Sequence, residues 1–332
     1  MVPVMKALAS SLAEFLGERR ELLPGEPTGS LTLCDPGEGS SGEMMLVRHD
    51  GEPLAMARRC KSARIAKRLL WAHGLAAKLP RTGEPSLTPR LIASDMSRRC
   101  SRAIGGPLII EEWIAGDTLT GKSLAECASH AHALARALAR LHGLRSRVWR
   151  DRRSRGRRKF HPRLQRMFVT RLADLAGRND LLASQDASEI LAAVDRTLAA
   201  ISDHTDFALV HTCIAPSDLI VRPGGDVTLI DIGTLQFGPP ELDLAAAICA
   251  AGLDDTAGGA LLEPYLAERP ESERHSLRTR LPIFRALFEL SKIRARVRAG
   301  DADSRLSEVR AHAQRLLAWA RNESSFSPSG KR

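Results

Sequence analysis

The chain has 332 residues, 43% of them hydrophobic, and a formal net charge of +10 at pH 7. This length suits one bilobal domain or two lobes with a large core, and the composition is that of a globular protein. No apolar run approaches the roughly 20 residues that cross a bilayer, so the sequence predicts no transmembrane segment.

The cysteines indicate a reducing compartment. They form no CxxC pair and no close spacing, which favours free thiols and argues against structural zinc. The N-terminal segment MVPVMKALASSLAEFLGERRELL predicts an amphipathic helix without a basic n-region or a clean cleavage site, so it is not interpreted as a signal peptide. We therefore expect a cytoplasmic location. The cysteines are Cys34, Cys60, Cys100, Cys127, Cys213 and Cys249.

A glycine-rich string, GEGSSG at residues 37–42, lies between strands predicted at Leu31 to Leu33 and Met44 to Val47. In such a hairpin, backbone N–H groups can lie over phosphates. Because the string does not lead from a strand into a helix, it favours a hairpin loop that covers phosphates over dinucleotide binding. A flexible Gly/Ser turn is the alternative interpretation. The candidate phosphate-binding glycines are Gly37, Gly39 and Gly42.

The next strand, predicted at Leu54 to Ala57, ends in Arg58 and Arg59. Residues 61–79 then predict a helix with apolar residues at helical spacing. No acidic residue occurs from Cys60 to Thr82. Further strands are predicted at Pro89 to Ala93 and at Pro107 to Trp113.

Residues 145–166 carry eleven Arg or Lys residues and one acidic residue. Such a block is expected to be solvated and to lack regular structure. It suggests a partner of negative charge, such as nucleic acid, acidic lipid headgroups or a phosphorylated glycan, on whose bases Trp149 and Phe160 could stack. An ordinary basic surface segment is the alternative.

The rest of the C-terminal part is predicted to be mostly helical, with a disordered tail over residues 323–332. Its helices are predicted from Ser123 to His142 and over residues 187–202, 241–252, 256–267, 271–299 and 303–321.

The segment 207–245 carries the most specific pattern. An apolar run from Phe207 to Val210 predicts a buried strand, and HTCIAPSDLIV follows at residues 211–221. PGGD turn chemistry between two β-branched runs predicts a hairpin over 219–230. LIDIG at 229–233 ends this hairpin, and PPELDLA at 239–245 begins a helix.

These motifs resemble the kinase-like fold, most closely its aminoglycoside and choline phosphotransferase branch, whose pattern is HGDLHPGNILV followed by VIDWG. The bacterial lipopolysaccharide heptose and Kdo kinases are a second candidate branch. The resemblance implies an α+β fold with a small antiparallel β lobe at 1–115 and a larger, mostly helical lobe at 116–322. It also implies ATP and Mg²⁺ as ligands.

The resemblance assigns roles to individual residues. Asp218 and Asp231 match the metal-binding positions, and both are hard oxygen ligands suited to Mg²⁺. His211 matches a histidine that orients the loop, and Asp243 matches an acid that braces it. The strand position of the phosphate-binding Lys falls on Arg58 or Arg59.

The segment EEWIAGD at residues 111–117 matches the family's hinge. Backbone groups near Glu112, Trp113 and Ile114 would then contact adenine. A simple strand end followed by a turn is the alternative interpretation of this segment.

Cys213 departs from the family, because it stands where the catalytic aspartate is expected. A thiol is a poor acceptor for a substrate hydroxyl, and such a base contributes roughly 10²–10⁴-fold. A nucleophilic role and a small buried thiol are both alternatives for Cys213. The strand Lys and its helical Glu partner are changed as well.

Three functions are consistent with these features. The favoured one is a pseudokinase or weakly active enzyme that binds nucleotide and Mg²⁺. The second is an active ATP-dependent kinase that phosphorylates a hydroxyl of a small molecule or glycan. The third is a non-enzymatic binder of polyanions through residues 145–166.

Overall fold

The computed structural model of the chain describes residues 3–35, 43–80, 85–120, 129–149, 159–175, 178, 181–201, 206–212, 214–250, 255–300 and 304–325. Its contacts divide the chain into two compact units. The first unit comprises residues 1–144 and 215–236, and the second comprises residues 145–214 and 237–332. The lobe boundary expected between residues 115 and 116 remains a prediction.

A five-stranded antiparallel sheet organises the first unit, in the order β1-β2-β3-β5-β4. Its register places Arg58 of the third strand opposite Ile109 of the fifth, and Met56 opposite Glu111. Successive side chains of a strand point to opposite faces of the sheet. The strands are β1 (Leu31–Cys34), β2 (Met44–His49), β3 (Glu52–Arg59), β4 (Leu91–Asp95) and β5 (Leu108–Glu112).

Three helices accompany this sheet: α1 (Pro3–Glu18), α2 (Ala63–Ala76) and α3 (Arg98–Ile104). The larger core joins α1 and α3 to one set of alternating strand residues, which includes Ala57 and Ile110. A smaller core joins α2 to Ile109 and Cys60. By the strand alternation, Arg58 lies on the same sheet face as Ile109, the face toward α2. The larger core includes Leu12, Phe15, Leu16, Val47, Ala55, Cys100, Ile104 and Leu108.

A second, three-stranded sheet completes the first unit, in the order β10-β9-β6. Its hairpin turns through Gly224 and Gly225, whose φ angles of +105° and +88° suit glycine. The hairpin predicted over 219–230 is therefore present. The elements are β6 (Asp117–Thr118), α4 (Ala131–Leu141), β9 (Leu219–Val221) and β10 (Val227–Leu229).

The second unit is mostly helical, with one three-stranded sheet in the order β11-β8-β7. The strands are β7 (Arg145–Ser146), β8 (Phe207–Val210) and β11 (Gln236–Gly238). The helices are α5 (Phe160–Ala173), α6 (Ser184–Ala200), α7 (Glu241–Ala250), α8 (Asp255–Ala267), α9 (Glu271–Ala299) and α10 (Leu306–Ser325).

The α+β fold class predicted from the sequence is confirmed. Two local expectations are wrong. Residues 160–166 of the basic segment lie in helix α5, because Phe160, Leu164 and Phe168 recur at helical spacing and are buried. Helix α10 continues to Ser325, so the first residues of the predicted tail are helical. Among the described residues, no helix is long and apolar enough to cross a membrane.

Candidate functional site

Four charged or titratable side chains of the first unit form a connected group, here called the arginine cluster: Arg58, His73, Glu111 and Asp231. At its centre, Nη1 of Arg58 lies 3.2 Å from Oδ1 of Asp231 and donates a hydrogen bond to it. Arg58 is the next-to-last residue of β3 and only partly exposed. The strand therefore presents its guanidinium to the carboxylate that was predicted to bind metal.

Glu111 supplies the second carboxylate of the arginine cluster. Its Oε2 lies 3.7 Å from Nε of Arg58, within ion-pair distance. The two residues are diagonal neighbours on adjacent strands, since Arg58 stands opposite Ile109, two residues before Glu111. Diagonal pairs on one sheet face are within reach of long side chains. The Glu111 side chain is only 7% exposed, so this pair is largely shielded from water.

His73 connects helix α2 to Glu111. Its Nε2 lies 2.8 Å from Oε1 of Glu111, and its side chain is 4% exposed. Ala66, Leu69 and His73 recur at spacings of three and four and are all buried, so they form the stripe of α2 that faces the interior. The helix thus contributes an imidazole, whereas the family resemblance implied a glutamate on this helix.

Arg59, the alternative phosphate-binding candidate, is directed elsewhere. Its Nη2 lies 3.6 Å from Oε1 of Glu43, and its side chain passes close to Gly105 and Gly106. Successive residues of β3 point to opposite faces, which separates it from Arg58. Of the two candidates, Arg58 is therefore the one that reaches Asp231.

The segment Asp231-Ile232-Gly233 follows β10 and is attached to α2. Asp231 has a φ of +53°, in the left-handed region that Asp tolerates better than most residues. Its side chain is 57% exposed. Arg68 donates from Nε to the carbonyl oxygen of Gly233. Gly233 packs closely against α2, since a Cβ built on it would lie 2.9 Å from Leu69 Cδ2.

Asp218 precedes β9, the first strand of the same hairpin, and lies at the same open end as Asp231. Its Oδ2 accepts from the Ala215 N–H at 3.0 Å, and its Oδ1 accepts from the Ser217 hydroxyl at 3.2 Å. Its carbonyl oxygen accepts from Ile230 N–H at 2.8 Å. Because Ile230 precedes Asp231, the two predicted metal ligands project from adjacent points of one hairpin.

The donor set of this hairpin fits Mg²⁺. Mg²⁺ prefers a few carboxylate oxygens together with water and phosphate oxygens, and Asp231 leaves much of its carboxylate accessible. Across the part of the chain that the structure describes, no cluster of three or more His, Cys, Asp or Glu side chains could hold a metal alone. Asp218 and Asp231 offer two carboxylates, and a Mg²⁺ held by them would take its other oxygen ligands from water and phosphate.

The predicted hinge lies at the end of β5. The Glu112 carboxylate accepts two hydrogen bonds from the Arg90 side chain. The backbone N–H of Glu112 donates to the carbonyl oxygen of Arg90 at 2.8 Å. Trp113 is partly buried and Ile114 is 3% exposed. The Glu112 N–H is thus used by the sheet, and an adenine contact at residues 112–114 stays a prediction.

In the second unit, His211, Thr212 and Asp243 form a group here called the loop brace. The Asp243 carboxylate accepts from the His211 N–H at 2.7 Å and from the Thr212 N–H at 2.6 Å. Asp243 is fully buried in the first turn of α7. Thr212 has a φ of +69°, which is unusual for a β-branched residue. Asp243 therefore holds the loop that leads to residue 213 through two backbone N–H groups of that loop.

A buried ion pair fixes the start of α7. The carboxylate of Glu241 accepts from Nε of Arg280 at 2.7 Å, and both side chains are almost fully buried. Burial raises the pKa of Glu241, and the neighbouring guanidinium of Arg280 opposes this shift. The helix that carries Asp243 is thereby anchored to α9.

The described part of the basic segment differs from its predicted role. Trp149 and Phe160 are almost completely buried, with ring centroids 6.0 Å apart. The Arg163 guanidinium lies 4.2 Å from the Trp149 ring centroid, and Arg145 pairs with Glu273. The prediction that these aromatics stack on bases is therefore wrong, because they belong to the core. A polyanion partner stays a prediction for the exposed cations.

Several predicted site residues lie outside the described residues: Gly37, Gly39, Gly42 and Cys213. Conversely, Glu111 and His73 are candidate functional residues that the sequence did not assign to the site. The sequence placed Glu111 only at the start of the predicted hinge segment, at the end of an apolar strand. Its partner could not be identified without the register between β3 and β5.

Comparisons with known proteins identify a family and a fold for this chain. The chain matches the phosphotransferase enzyme family over residues 32–279. Among solved structures it is similar to choline kinase LicA from Streptococcus pneumoniae, with 14% identity, a TM-score of 0.58 and coverage of 95% of this chain and 98% of that one. No curated protein matches.

Two further structures are similar. One is a choline/ethanolamine kinase family protein from Mesorhizobium loti, with 17% identity, a TM-score of 0.57 and coverage of 94% of this chain and 95% of that chain. The other is an aminoglycoside phosphotransferase from Alicyclobacillus acidocaldarius, with 17% identity, a TM-score of 0.58 and coverage of 90% and 95%. At these identities the likeness shows the kinase-like fold.

Proposed function

The chain belongs to the phosphotransferase enzyme family, and we propose that it binds a Mg²⁺–nucleotide, with ATP as the expected ligand, and transfers phosphate weakly or not at all. The observation that carries the proposal is the 3.2 Å contact between Arg58 and Asp231. A guanidinium recognises phosphate oxygens, and a carboxylate recognises Mg²⁺. Each group is therefore suited to one half of a Mg²⁺–nucleotide.

Asp218 and Asp231 would hold Mg²⁺, and the ion would supply charge neutralisation along the phosphates. Arg58 would bind phosphate oxygens as a planar fork, which recognises oxyanions differently from the point charge of a lysine. The structure of LicA determined with AMP supports a nucleotide as the ligand class.

Weak transfer is proposed because of residue 213. The family resemblance places a catalytic aspartate there, and this chain has Cys213. A positioned base contributes roughly 10²–10⁴-fold to proton transfer, so its replacement slows turnover strongly and leaves nucleotide binding intact. The acceptor would be a hydroxyl of a small molecule or a glycan.

A thermal-shift titration tests nucleotide binding. Mg²⁺–ATP should raise the melting temperature of the protein, and Mg²⁺ alone should raise it less. The Asp231→Asn variant keeps a residue that tolerates positive φ and should lose most of the shift. If Mg²⁺–ATP does not move the melting temperature of the unmodified protein, the proposed function fails.

A second experiment tests why turnover is weak. The Cys213→Asp variant should increase release of the γ-phosphate from ATP by at least an order of magnitude, as expected for a restored base. The matched control is Cys213→Ser, which restores no carboxylate and should leave the rate unchanged. Rapid transfer by the unmodified protein would instead identify an active kinase.

A further inference from the structure

We propose that Glu111 and His73 position Arg58 for phosphate binding, so that a carboxylate from β5 replaces the helical glutamate that the family resemblance predicts. This inference rests on the proposed nucleotide binding and names the residues that organise it. It starts from the two carboxylates that Arg58 contacts, Glu111 and Asp231.

The two carboxylates of the arginine cluster lie in different environments. Glu111 is 7% exposed, while Asp231 is 57% exposed. A charge is screened less when it is shielded from water, so the buried carboxylate provides the firmer electrostatic anchor. Glu111 thus holds the Arg58 guanidinium at Nε, on the side of the protein interior. Nη1 of the same guanidinium remains directed toward the exposed carboxylate of Asp231.

Glu111 is itself fixed by His73. The 2.8 Å contact between His73 Nε2 and Glu111 Oε1 engages one carboxylate oxygen, and the other faces Arg58. His73 is buried on the interior stripe of α2, so packing around the helix restricts its side chain. The chain of contacts therefore runs from α2 through β5 to β3, and it ends at Asp231.

Helix α2 therefore has two attachments to the predicted metal-binding segment. One is the His73–Glu111–Arg58–Asp231 path, and the other is the hydrogen bond from Arg68 to the Gly233 carbonyl. If Glu111 lost its charge, Asp231 would be the carboxylate that attracts Arg58 most strongly. Arg58 would then compete with Mg²⁺ for the same carboxylate.

The experiment measures dissociation constants for Mg²⁺–ATP and for adenosine by isothermal titration calorimetry. Glu111→Gln should weaken Mg²⁺–ATP binding about tenfold, equivalent to 1.4 kcal/mol, and leave adenosine unchanged because adenosine has no phosphate. It should also raise the Mg²⁺ concentration for half-maximal ATP binding. Glu43→Gln is the matched control, since it removes the carboxylate beside Arg59 and should change neither constant.

A charge exchange separates positioning from simple loss of structure. His73→Glu combined with Glu111→Gln moves the carboxylate onto α2 and should restore ATP affinity to within about threefold. Should that variant not fold, Glu111→Asp keeps the charge and should weaken ATP binding less than Glu111→Gln does.

The outcomes distinguish the two proposals. If the unmodified protein does not bind Mg²⁺–ATP, the proposed function is overturned. If it binds and Glu111→Gln leaves the affinity unchanged or tighter, the positioning role alone is overturned. Equal losses for ATP and adenosine, or no difference between Glu111→Gln and the variants that retain a carboxylate, would also reject it.

Discussion

The arginine cluster and the loop brace use carboxylates in contrasting ways. In the loop brace, Asp243 is fully buried and both of its oxygens accept backbone hydrogen bonds. In the arginine cluster, Asp231 is more than half exposed and contacts the Arg58 guanidinium at 3.2 Å. Both oxygens of Asp243 are thus used by the protein itself, whereas Asp231 keeps an accessible carboxylate, which the proposed Mg²⁺ binding needs.

The two groups also differ in how well they match the family resemblance. Asp243 was expected to brace the loop backbone, and its contacts with His211 and Thr212 fit that expectation. In place of the Lys–Glu pair that the resemblance implied, the structure has contacts of Glu111 with Arg58 and His73. Backbone support thus follows the family while the charged network differs from it.

The largest expected effect concerns the anchor of the helix that carries the brace. Arg280→Met leaves Glu241 buried without its partner and should cost about 3–5 kcal/mol of unfolding free energy. Adding Glu241→Gln should recover a substantial part, because the uncompensated charge is gone. Urea denaturation of the two variants measures both changes, and equal stability of the single and double variants would contradict the anchor.

The same variant has a defined pH dependence. Burial already raises the pKa of Glu241, and loss of Arg280 should raise it further. A raised carboxyl pKa means that the folded state binds more protons than the unfolded state, so stability falls as pH rises. The deficit of Arg280→Met relative to the unmodified protein should therefore grow from about pH 4 upwards, the range in which an unfolded Glu ionises.

Matched Asp→Asn variants test the comparison directly. Asp243→Asn leaves one buried N–H without an acceptor and should lower the unfolding free energy by about 1–3 kcal/mol. Asp231→Asn removes an exposed charge and should change it by less than about 1 kcal/mol. Urea denaturation measures both, and similar losses would mean that the arginine cluster is as structural as the brace.

Thr212→Gly should have a smaller effect of opposite sign. A β-branched residue at a φ of +69° is strained, and glycine adopts this conformation freely. Relief of such strain is worth about 1–3 kcal/mol, offset by about 1 kcal/mol of added chain entropy in the unfolded state. We expect a net gain of about 1 kcal/mol in urea denaturation. A loss would show that the Thr212 side chain contributes more than its backbone strain costs.

Local patterns predicted most of the fold, and the exceptions have physical causes. The helix at 271–299 and the strand from Phe207 to Val210 have the predicted bounds. Helix α3, Arg98–Ile104, was not predicted because it is short and rich in arginine. The apolar repeat of α5 was present in the sequence but lay beside a dense run of positive charge.

The site was predictable only in part, because its contacts depend on register and rotation. The positions of Asp218 and Asp231 follow from motif spacing along one hairpin. The roles of Glu111 and His73 depend on the pairing of β3 with β5 and on which stripe of α2 faces inward. Such non-local geometry is not contained in the local hydrophobic period.

The smallest effect concerns two thiols near these regions, Cys60 after β3 and Cys249 in α7. Burial raises the pKa of each to about 11. Compared with an ordinary thiol of pKa near 8.5, the thiolate fraction at pH 8 falls on the order of a hundredfold. Both should therefore react with iodoacetamide far more slowly in the folded protein than in urea, as measured by peptide mass spectrometry.

Because the thiolate is the nucleophile, raising the pH from 8 to 9 should speed the reaction of the folded protein about tenfold. A labelling rate that does not change between pH 8 and pH 9 would mean that local opening limits the reaction. A comparison of Cys60 with Cys249 would then show which of the two regions opens more readily.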